Sequence, residues 1–362
     1  MTVTLVLGSD PAAAVAFGVS PLAELTAALH ALAEPGHHPT HGGWIHRVNE
    51  TITARLRRQC ETFSPLWSTY RARFLLPGPL GLGRSLREEI GAIESLDDGQ
   101  FTLFAAWAVS GGYTGRTMEN VINRRTAQDE LHRRAAARGQ AAVALAERLL
   151  TDHDRFRADL VRTLLAAADG FFAREWETVR KDLADAVRLY RATAHTKGMT
   201  AALETVSAPS SLLSRPPRIR IDQLHRGTIN LDRQPLLVMP STLGRPHRLI
   251  KHEGGWPAIL QCPLPAGASS EPTYLAVIRQ RLAVFSEPTK IAIARALAHE
   301  SLPTVELARR FGCTAPQMSR HLRVMRDAQL VAVTRRGKYV LYRLDLPQIA
   351  RLGPDLLDAL LR

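Results

Sequence analysis

Apolar residues follow a helical spacing through most of the N-terminal part of the chain. The first clear helix begins after Ser20 and has a leucine on each turn, at Leu22, Leu25, Leu29 and Leu32. From about Met118 to Val206 alanine, leucine and arginine dominate and proline is absent. The pattern then changes to short alternating runs such as RIRIDQL and PAILQC, which predict β-strands. Residues 1–262 are therefore predicted to form a mostly helical domain that ends in a small sheet over about 217–262.

A segment rich in proline and glycine, PLPAGASSEP at residues 263–272, predicts a linker to a second domain. Residues 273–362 show a helix, then a helix–turn–helix and then a β-hairpin. Thr314 is placed to cap the second helix of the helix–turn–helix, whose apolar positions are Met318, Leu322 and Met325. The alternation in LVAVTRR and YVLYRL, on either side of Gly337, predicts the hairpin. The predicted fold is α+β and mainly α, with a C-terminal winged helix-turn-helix.

Positive charge is concentrated in this second domain. The chain has a formal net charge of +13, and residues 273–362 hold 15 Lys and Arg against 7 Asp and Glu. A localised basic excess is typical of a module that binds a polyanion such as double-stranded DNA. An α-helix fits the major groove, and a basic hairpin tip can reach neighbouring phosphates. The residues predicted to contact DNA are Thr314, Ala315, Gln317, Ser319, Arg320, His321 and Arg323 on the helix, and Arg335, Arg336 and Lys338 on the hairpin.

The segment from about Val284 to Leu344 resembles the ArsR family of bacterial winged-helix regulators. The resemblance lies in FSEPTKIAIARAL, TVELARRFGCTAPQMSRHLRVMRDAQLV and RRGKYVLYRL, with SRHL and GKYVLYRL its most specific parts. It implies a repressor that a ligand releases from DNA. Metal-sensing members carry clustered cysteines on the helix that here reads TVELARRF, which has none. The preceding region resembles a domain of unknown function that recurs ahead of such modules in some family members.

These observations predict a homodimeric transcriptional regulator that binds a two-fold operator in the bacterial cytoplasm. Two apolar stripes near the edges of the second domain are the dimerisation candidates, namely Leu275, Ile278, Leu282 and Phe285, and Ile349, Leu352, Leu356 and Leu360. The N-terminal domain would sense a small-molecule effector. Two alternatives stay open. One is a regulator without a ligand, whose N-terminal domain serves oligomerisation or protein contact, and the other is an enzyme tethered to DNA.

Four histidines, His37, His38, His41 and His46, lie close together in and after a loop rich in proline and glycine. Imidazole binds zinc and nickel, but no cysteine or carboxylate is regularly spaced with this group. The sequence therefore predicts no metal site and no cofactor.

Catalytic motifs are also missing from the sequence. It contains no nucleophile elbow, metalloprotease helix or paired-carboxylate motif, so we predict no catalytic residues and no enzyme. Four aromatic residues of the central helices are predicted to lie in the core, with the lining of an apolar pocket as the alternative: Phe171, Phe172, Trp176 and Tyr190.

The cysteine content and the hydropathy profile bear on the compartment. Three separate cysteines favour a reducing compartment, and no run reaches the roughly 18 apolar residues that a membrane span needs. The N-terminal MTVTLVLGSD lacks a basic segment, so a secretory signal is not expected.

Overall fold

The chain divides into two units, residues 1–269 and residues 270–362. The structure, a computed structural model, describes residues 2–207, 210–213, 218–222, 227–253, 255–264, 274–336, 339–346, 348–349 and 352. Among these residues no helix has both the length and the apolar character to cross a membrane. The predicted linker, 263–272, falls largely outside the described residues.

Eleven helices form most of the described part of the first unit. They are α1 (Pro11–Ala14), α2 (Pro21–Ala33), α3 (Gly42–Thr51), α4 (Ala54–Phe63), α5 (Leu86–Glu94), α6 (Asp98–Val109), α7 (Arg125–Ala136), α8 (Gln140–Thr151), α9 (His153–Ala167), α10 (Ala173–Lys197) and α11 (Met199–Ser207). Short 3₁₀ turns lie at Pro35–His37, Pro39–His41, Ser64–Leu66, Arg73–Leu75 and Gly115–Met118. A π-helical turn at Ala168–Phe172 joins α9 to α10.

Helix α2 lies in the middle of the helical core. Its N-terminus is capped as the sequence predicts, with Ser20 Oγ accepting a hydrogen bond from the Ala23 backbone N–H at 3.0 Å and Pro21 in the first position. Every residue from Pro21 to Ala31 is buried. A helix that is buried all round belongs to the interior, so the other helices pack around α2 rather than against one face of it.

Two four-stranded sheets complete the first unit. Their strands are β1 (Thr2–Val6), β2 (Val15–Phe17), β3 (Ser210–Leu213), β4 (Arg218–Asp222), β5 (Gly227–Asn230), β6 (Leu236–Ser241), β7 (Leu249–Lys251) and β8 (Ala258–Pro263). The strand orders are β3-β4-β1-β5 and β2-β6-β8-β7. The single small sheet predicted over about 217–262 is therefore two sheets, and each also takes in one strand from the N-terminus. Strand β1 pairs antiparallel with β4, and β2 pairs parallel with β6.

A second core lies between these sheets and the long helix α10. Val179, Leu183 and Tyr190 of α10 are buried there, together with Leu5 of β1 and Leu260 of β8. Both sheets and the helix thus share one apolar interior, which explains why the N-terminal strands and the late strands must come together.

The second unit has the predicted order of elements. These are α12 (Tyr274–Phe285), α13 (Pro288–His299), β9 (Leu302–Pro303), α14 (Thr304–Arg310), α15 (Ala315–Asp327), β10 (Val331–Arg336) and β11 (Tyr339–Leu344). The strand order of its sheet is β10-β11-β9. This is a winged helix-turn-helix, and the predicted fold class, α+β and mainly α, is confirmed.

Candidate nucleic-acid interface

Helix α15 packs on the second unit through a narrow apolar face. Met318, Leu322 and Met325 are each 0% exposed and share one core with Leu307 of α14. In the turn between the two helices Gly312 has φ of 61°, a left-handed conformation that glycine adopts without strain. The buried face fixes the rotation of α15 about its axis, and so decides which of its side chains point to solvent.

The opposite face of α15 is polar and basic. It presents six of the seven predicted helix contacts as exposed residues, namely Thr314, Ala315, Gln317, Ser319, Arg320 and Arg323. His321 is half-buried at the boundary of the face. The structure therefore brings the predicted recognition residues together along one face of one helix.

Gln317 has a second role that the sequence prediction missed. Thr314 and Gln317 form a capping box, in which Gln317 Oε1 accepts hydrogen bonds from the Thr314 backbone N–H at 2.9 Å and from Thr314 Oγ1 at 3.0 Å. A bidentate pair with adenine uses the same amide oxygen as acceptor. Gln317 must therefore leave the cap before it can contact adenine in that way. The spacing Thr-x-x-Gln was the sequence signal for the box.

The arginines of this unit fall into two groups. On α14, Arg309 and Arg310 form ion pairs with Glu306, which holds the pKa of that carboxyl at about 2. On α15, by contrast, Arg320 and Arg323 have no acidic partner among the described residues. An arginine that is already paired with a carboxylate attracts a phosphate weakly. An unpaired arginine can form a charge-assisted hydrogen bond with a phosphate. The free positive charge of the helix-turn-helix therefore lies on the outer face of α15.

The wing carries its basic residues on both faces. In the β10–β11 ladder Arg335 is paired with Val340, and Arg343 with Ala332, so Arg335 and Arg343 occupy opposite faces. Both side chains are exposed. Arg343 is a basic wing residue that the sequence prediction left out, although it falls in the same alternating run. The side chain of Arg336 and the whole of Lys338, two predicted contacts, lie outside what the structure describes.

The dimerisation candidates on α12 differ in their exposure to solvent. Ile278 is 2% exposed and Phe285 packs against the core of its own unit, but Leu282 is 41% exposed. The inward side of α12 instead includes Val284 and Arg281, and Arg281 donates a hydrogen bond to the Ala328 carbonyl at 3.3 Å. Leu282 is therefore the described member of this stripe that is available to a second chain.

The second dimerisation stripe is described only in part. Ile349 and Leu352 are half-buried against the core of the second unit. Leu356, Leu360 and the side chain of Leu275 lie outside the described residues. Dimerisation through these residues stays a prediction.

Two of the cavities in the described part of the first unit are large. One, of about 650 Å³, lies between α5 and residues 76–81, and its lining includes Phe74, Trp256, Arg84 and Glu89. The other, of about 670 Å³, is lined in part by Phe172 and Trp176. Of the four aromatic residues of the central helices, Phe171, Phe172 and Tyr190 are core residues and Trp176 is half-buried; Phe172 and Trp176 also border this cavity.

Buried titratable groups also occur in the first unit. Glu89, whose pKa burial raises to about 7, lines the first cavity, whereas three other residues form a separate group. Burial lowers the pKa of Lys251 well below its usual value and raises that of Tyr70. The carboxylate of Glu253, next to both, raises the pKa of Lys251 in opposition. None of these three residues lines either cavity. The group accordingly has the character of a buried charge cluster inside the fold.

Sequence profiles of two known families match the chain. One, DUF5937, described as a family of unknown function, matches residues 1–268. The other, a helix-turn-helix domain, matches residues 285–334. The second match covers α13 to α15 and the first strand of the wing, so the chain carries a helix-turn-helix domain where the geometry places one.

Two known proteins are similar to a part of the chain. The HTH-type transcriptional regulator Rv2034 of Mycobacterium tuberculosis is 38% identical over 71 residues, which are 20% of this chain and 66% of that protein. The chain thus matches a little under two thirds of that relative's length. The crystal structure of NolR from Sinorhizobium fredii is similar over 21% of this chain and 78% of its own, with 23% identity and a TM-score of 0.20.

Proposed function

This chain belongs to the DUF5937 family, and we propose that it is a DNA-binding transcriptional regulator of the ArsR type. A homodimer binds a two-fold operator, with one α15 helix in each of two major-groove segments. The observation that carries this proposal is the outer face of α15, where Arg320 and Arg323 are exposed and have no acidic partner in the described chain. The similarity to an HTH-type transcriptional regulator supports it. In this proposal the protein acts as a cytoplasmic repressor.

Homodimerisation has support from exposed apolar residues of the second unit. Leu282 on α12 is 41% exposed and Ile291 on α13 is 49% exposed. Both apolar side chains face solvent in a single chain. A second copy that covers them would remove this apolar surface from water.

We further propose that a small molecule controls DNA binding. The cavity beside α5 has the size of a ligand site, since such sites hold roughly 300–1,000 Å³. Its wall is mostly apolar, with Arg84 and Glu89 as polar groups that can orient a ligand. This favours a sensor over a domain that serves only oligomerisation.

The proposal of DNA binding is tested by selection from a random duplex library with the full chain. We expect enrichment of one sequence with two-fold symmetry, whose half-sites are about 10 base pairs apart or a multiple of that. The double variant Arg320→Ala and Arg323→Ala should enrich nothing. Selection of no sequence by the unsubstituted chain, at low and at physiological salt, would overturn the proposal.

The cavity is tested separately with a neutral apolar dye such as Nile red. An added Cβ at Gly91 on the cavity wall meets no atom within 4 Å, so Gly91→Leu should fill the space without disturbing the helix. We expect the dye to bind the unsubstituted chain and not Gly91→Leu, while both bind the selected operator equally. Equal dye binding by the two proteins would rule the cavity out as the ligand site.

A further inference from the structure

Three histidines from distant parts of the first unit converge beneath the turns that follow α2. His30 lies in the last turn of α2, His38 between two 3₁₀ turns, and His247 between β6 and β7. One ring nitrogen of each lies within 4.8 Å of the other two. The ring centroid of His38 lies 4.9 Å from that of His30 and 4.9 Å from that of His247. The fold thus builds a compact set of imidazoles that no local sequence pattern contains.

The sequence cluster and the spatial cluster differ. His46, which the sequence places with His37, His38 and His41, is exposed on α3 and lies 3.2 Å from Glu50. His37 stays at the solvent edge, with its ring centroid 5.8 Å from that of His247. The absence of spaced carboxylates or cysteines was the reason to expect no metal site. That reason loses its force once two histidines from elsewhere join the group.

The ring of His38 has a fixed orientation. Its Nδ1 donates a hydrogen bond to the backbone carbonyl of Arg245 at 2.5 Å, so Nε2 carries the lone pair. His38 is 0% exposed, and its Nε2 has no hydrogen-bond partner among the described residues. A histidine whose first nitrogen is held by a carbonyl while the second is left bare is the usual arrangement of a metal ligand.

His30 presents a similar bare nitrogen. The residue is 9% exposed, and its buried Nδ1 has no hydrogen-bond partner in the part of the chain that the structure describes. Burial lowers the pKa of His30 to about 3 and that of His38 to about 2, so both rings are neutral near pH 7. A buried lone pair without a partner costs stability that a bound ion would recover.

The segment that carries His247 is held rigidly. The buried carboxylate of Glu24, on α2, accepts hydrogen bonds from the backbone N–H groups of Thr242 and Leu243 at 2.9 and 2.7 Å. A Cβ atom at Gly244 would lie 2.6 Å from Ser241 Oγ. Any larger residue at this position would therefore force Ser241 to move. Because the same helix α2 also carries His30, the two histidines are positioned by one support.

We propose that His30, His38 and His247 bind one zinc ion, with the fourth position left to water or to His37. Tetrahedral zinc takes nitrogen ligands at about 2.0–2.1 Å, which requires them to be roughly 3.4 Å apart. The ring nitrogens lie within 4.8 Å of one another, so zinc would have to draw a pair of them together by up to about 1.4 Å. Neutral imidazole suits zinc, while calcium and magnesium prefer oxygen ligands that this cluster lacks.

One neighbouring charge opposes a cation here. The guanidinium of Arg71 is close enough to lower the pKa of His30. Burial lowers the pKa of Arg71 to about 10, and the carboxyl group of Glu24 beside it opposes that shift. The opposite charges of Arg71 and Glu24 partly offset each other beside the histidines. The zinc site does not depend on the proposed DNA binding, because all of its residues belong to the first unit.

The test uses the full chain, stripped of metal by a chelator and then titrated with cobalt(II) and with zinc(II). We expect one equivalent of cobalt to give the intense visible bands of a tetrahedral ion, and zinc to remove them. His38→Gln and His247→Gln should each weaken binding by roughly 100-fold, as loss of a ligand is at least as severe as loss of its supporting hydrogen bond. The control His46→Gln should bind as the unsubstituted chain does.

Metal binding at an exposed cluster elsewhere in the first unit would contradict the proposal. Asp98, His153 and Asp154 form a second cluster with donor atoms within 4.8 Å of each other, but it lies mostly at the surface. Binding that His153→Gln abolishes and His38→Gln leaves intact would overturn the proposal, as would the absence of a stoichiometric cobalt spectrum. Circular dichroism of each stripped variant checks folding. If His38→Gln does not fold, His30→Gln and His247→Gln decide the question.

Discussion

Replacement of Arg320 by alanine separates sequence recognition from general attraction to DNA. Arg320 lies on the exposed face of α15, next to the start of the helix, where side chains reach base edges in winged helices of this geometry. It has no acidic partner among the described residues, so the substitution breaks no ion pair. Alanine has the highest helix propensity, so the fold should keep its stability. Any loss of DNA binding is then a property of the interface.

The size of the effect follows from the number of contacts. A bidentate arginine–guanine pair contributes about 1–3 kcal/mol of discrimination against a wrong base. A dimer on a two-fold operator has two such contacts, so Arg320→Ala should weaken binding to the selected operator by about 2–6 kcal/mol. This corresponds to a loss of roughly 30-fold or more. The affinity for unrelated DNA should fall much less, because phosphate contacts remain.

The assay is fluorescence anisotropy with the operator and with its single-base variants, at several salt concentrations. Arg320→Ala should bind all four bases equally at one position of each half-site. Arg309→Ala is the matched control, because its guanidinium is already paired with Glu306 on α14. The reasoning is refuted if Arg309→Ala loses as much operator affinity as Arg320→Ala, or if Arg320→Ala weakens every sequence uniformly.

Three further predictions concern the wing, the helix cap and a buried acid. Arg335→Ala should weaken binding to all sequences alike and lower the salt slope by about one unit per subunit, measured by anisotropy; altered base preference would contradict this. Gln317→Ala should lower the free energy of unfolding by about 1 kcal/mol through loss of the capping box, whereas Gln317→Glu should not; equal urea midpoints for the two would contradict the box. Burial raises the pKa of Glu89 from 4.5 to about 7. The folded state therefore binds the proton more tightly, and about 3 kcal/mol of stability present below pH 4.5 should be lost as the pH rises to 7. Glu89→Gln should flatten that slope in urea unfolding at a series of pH values, and an unchanged slope would refute the assignment.

The second unit was largely predictable from its sequence because its structure is encoded locally. The Thr314 cap, the apolar stripe of α15 and the two alternating runs of the wing are each set by residues a few positions apart. Helical spacing could not decide which apolar positions are buried. Leu282 and Ile291 are apolar residues of α12 and α13, but each helix buries only one narrow face, and both side chains are exposed. The sequence of one chain does not distinguish an apolar residue of the core from one that a second chain covers.

The first unit was less predictable because its key contacts join distant segments. Strand β1 lies near the start of the sequence, yet it pairs with β4 and β5 and is an inner strand of its sheet. No local pattern indicates such a pairing, since alternation tells only which face a residue takes and never which strand lies beside it.

The histidines illustrate the same limit for a functional site. The sequence showed a histidine cluster from His37 to His46. The lack of a regularly spaced cysteine or carboxylate argued against a metal site there. The chemistry instead depends on the Glu24 carboxylate, which fixes the segment after β6 on α2 and so brings His247 to His30. Substitution of Glu24 should therefore disperse the cluster without removing a single histidine. Local patterns identify what each side chain can do, whereas the fold determines which side chains can do it together.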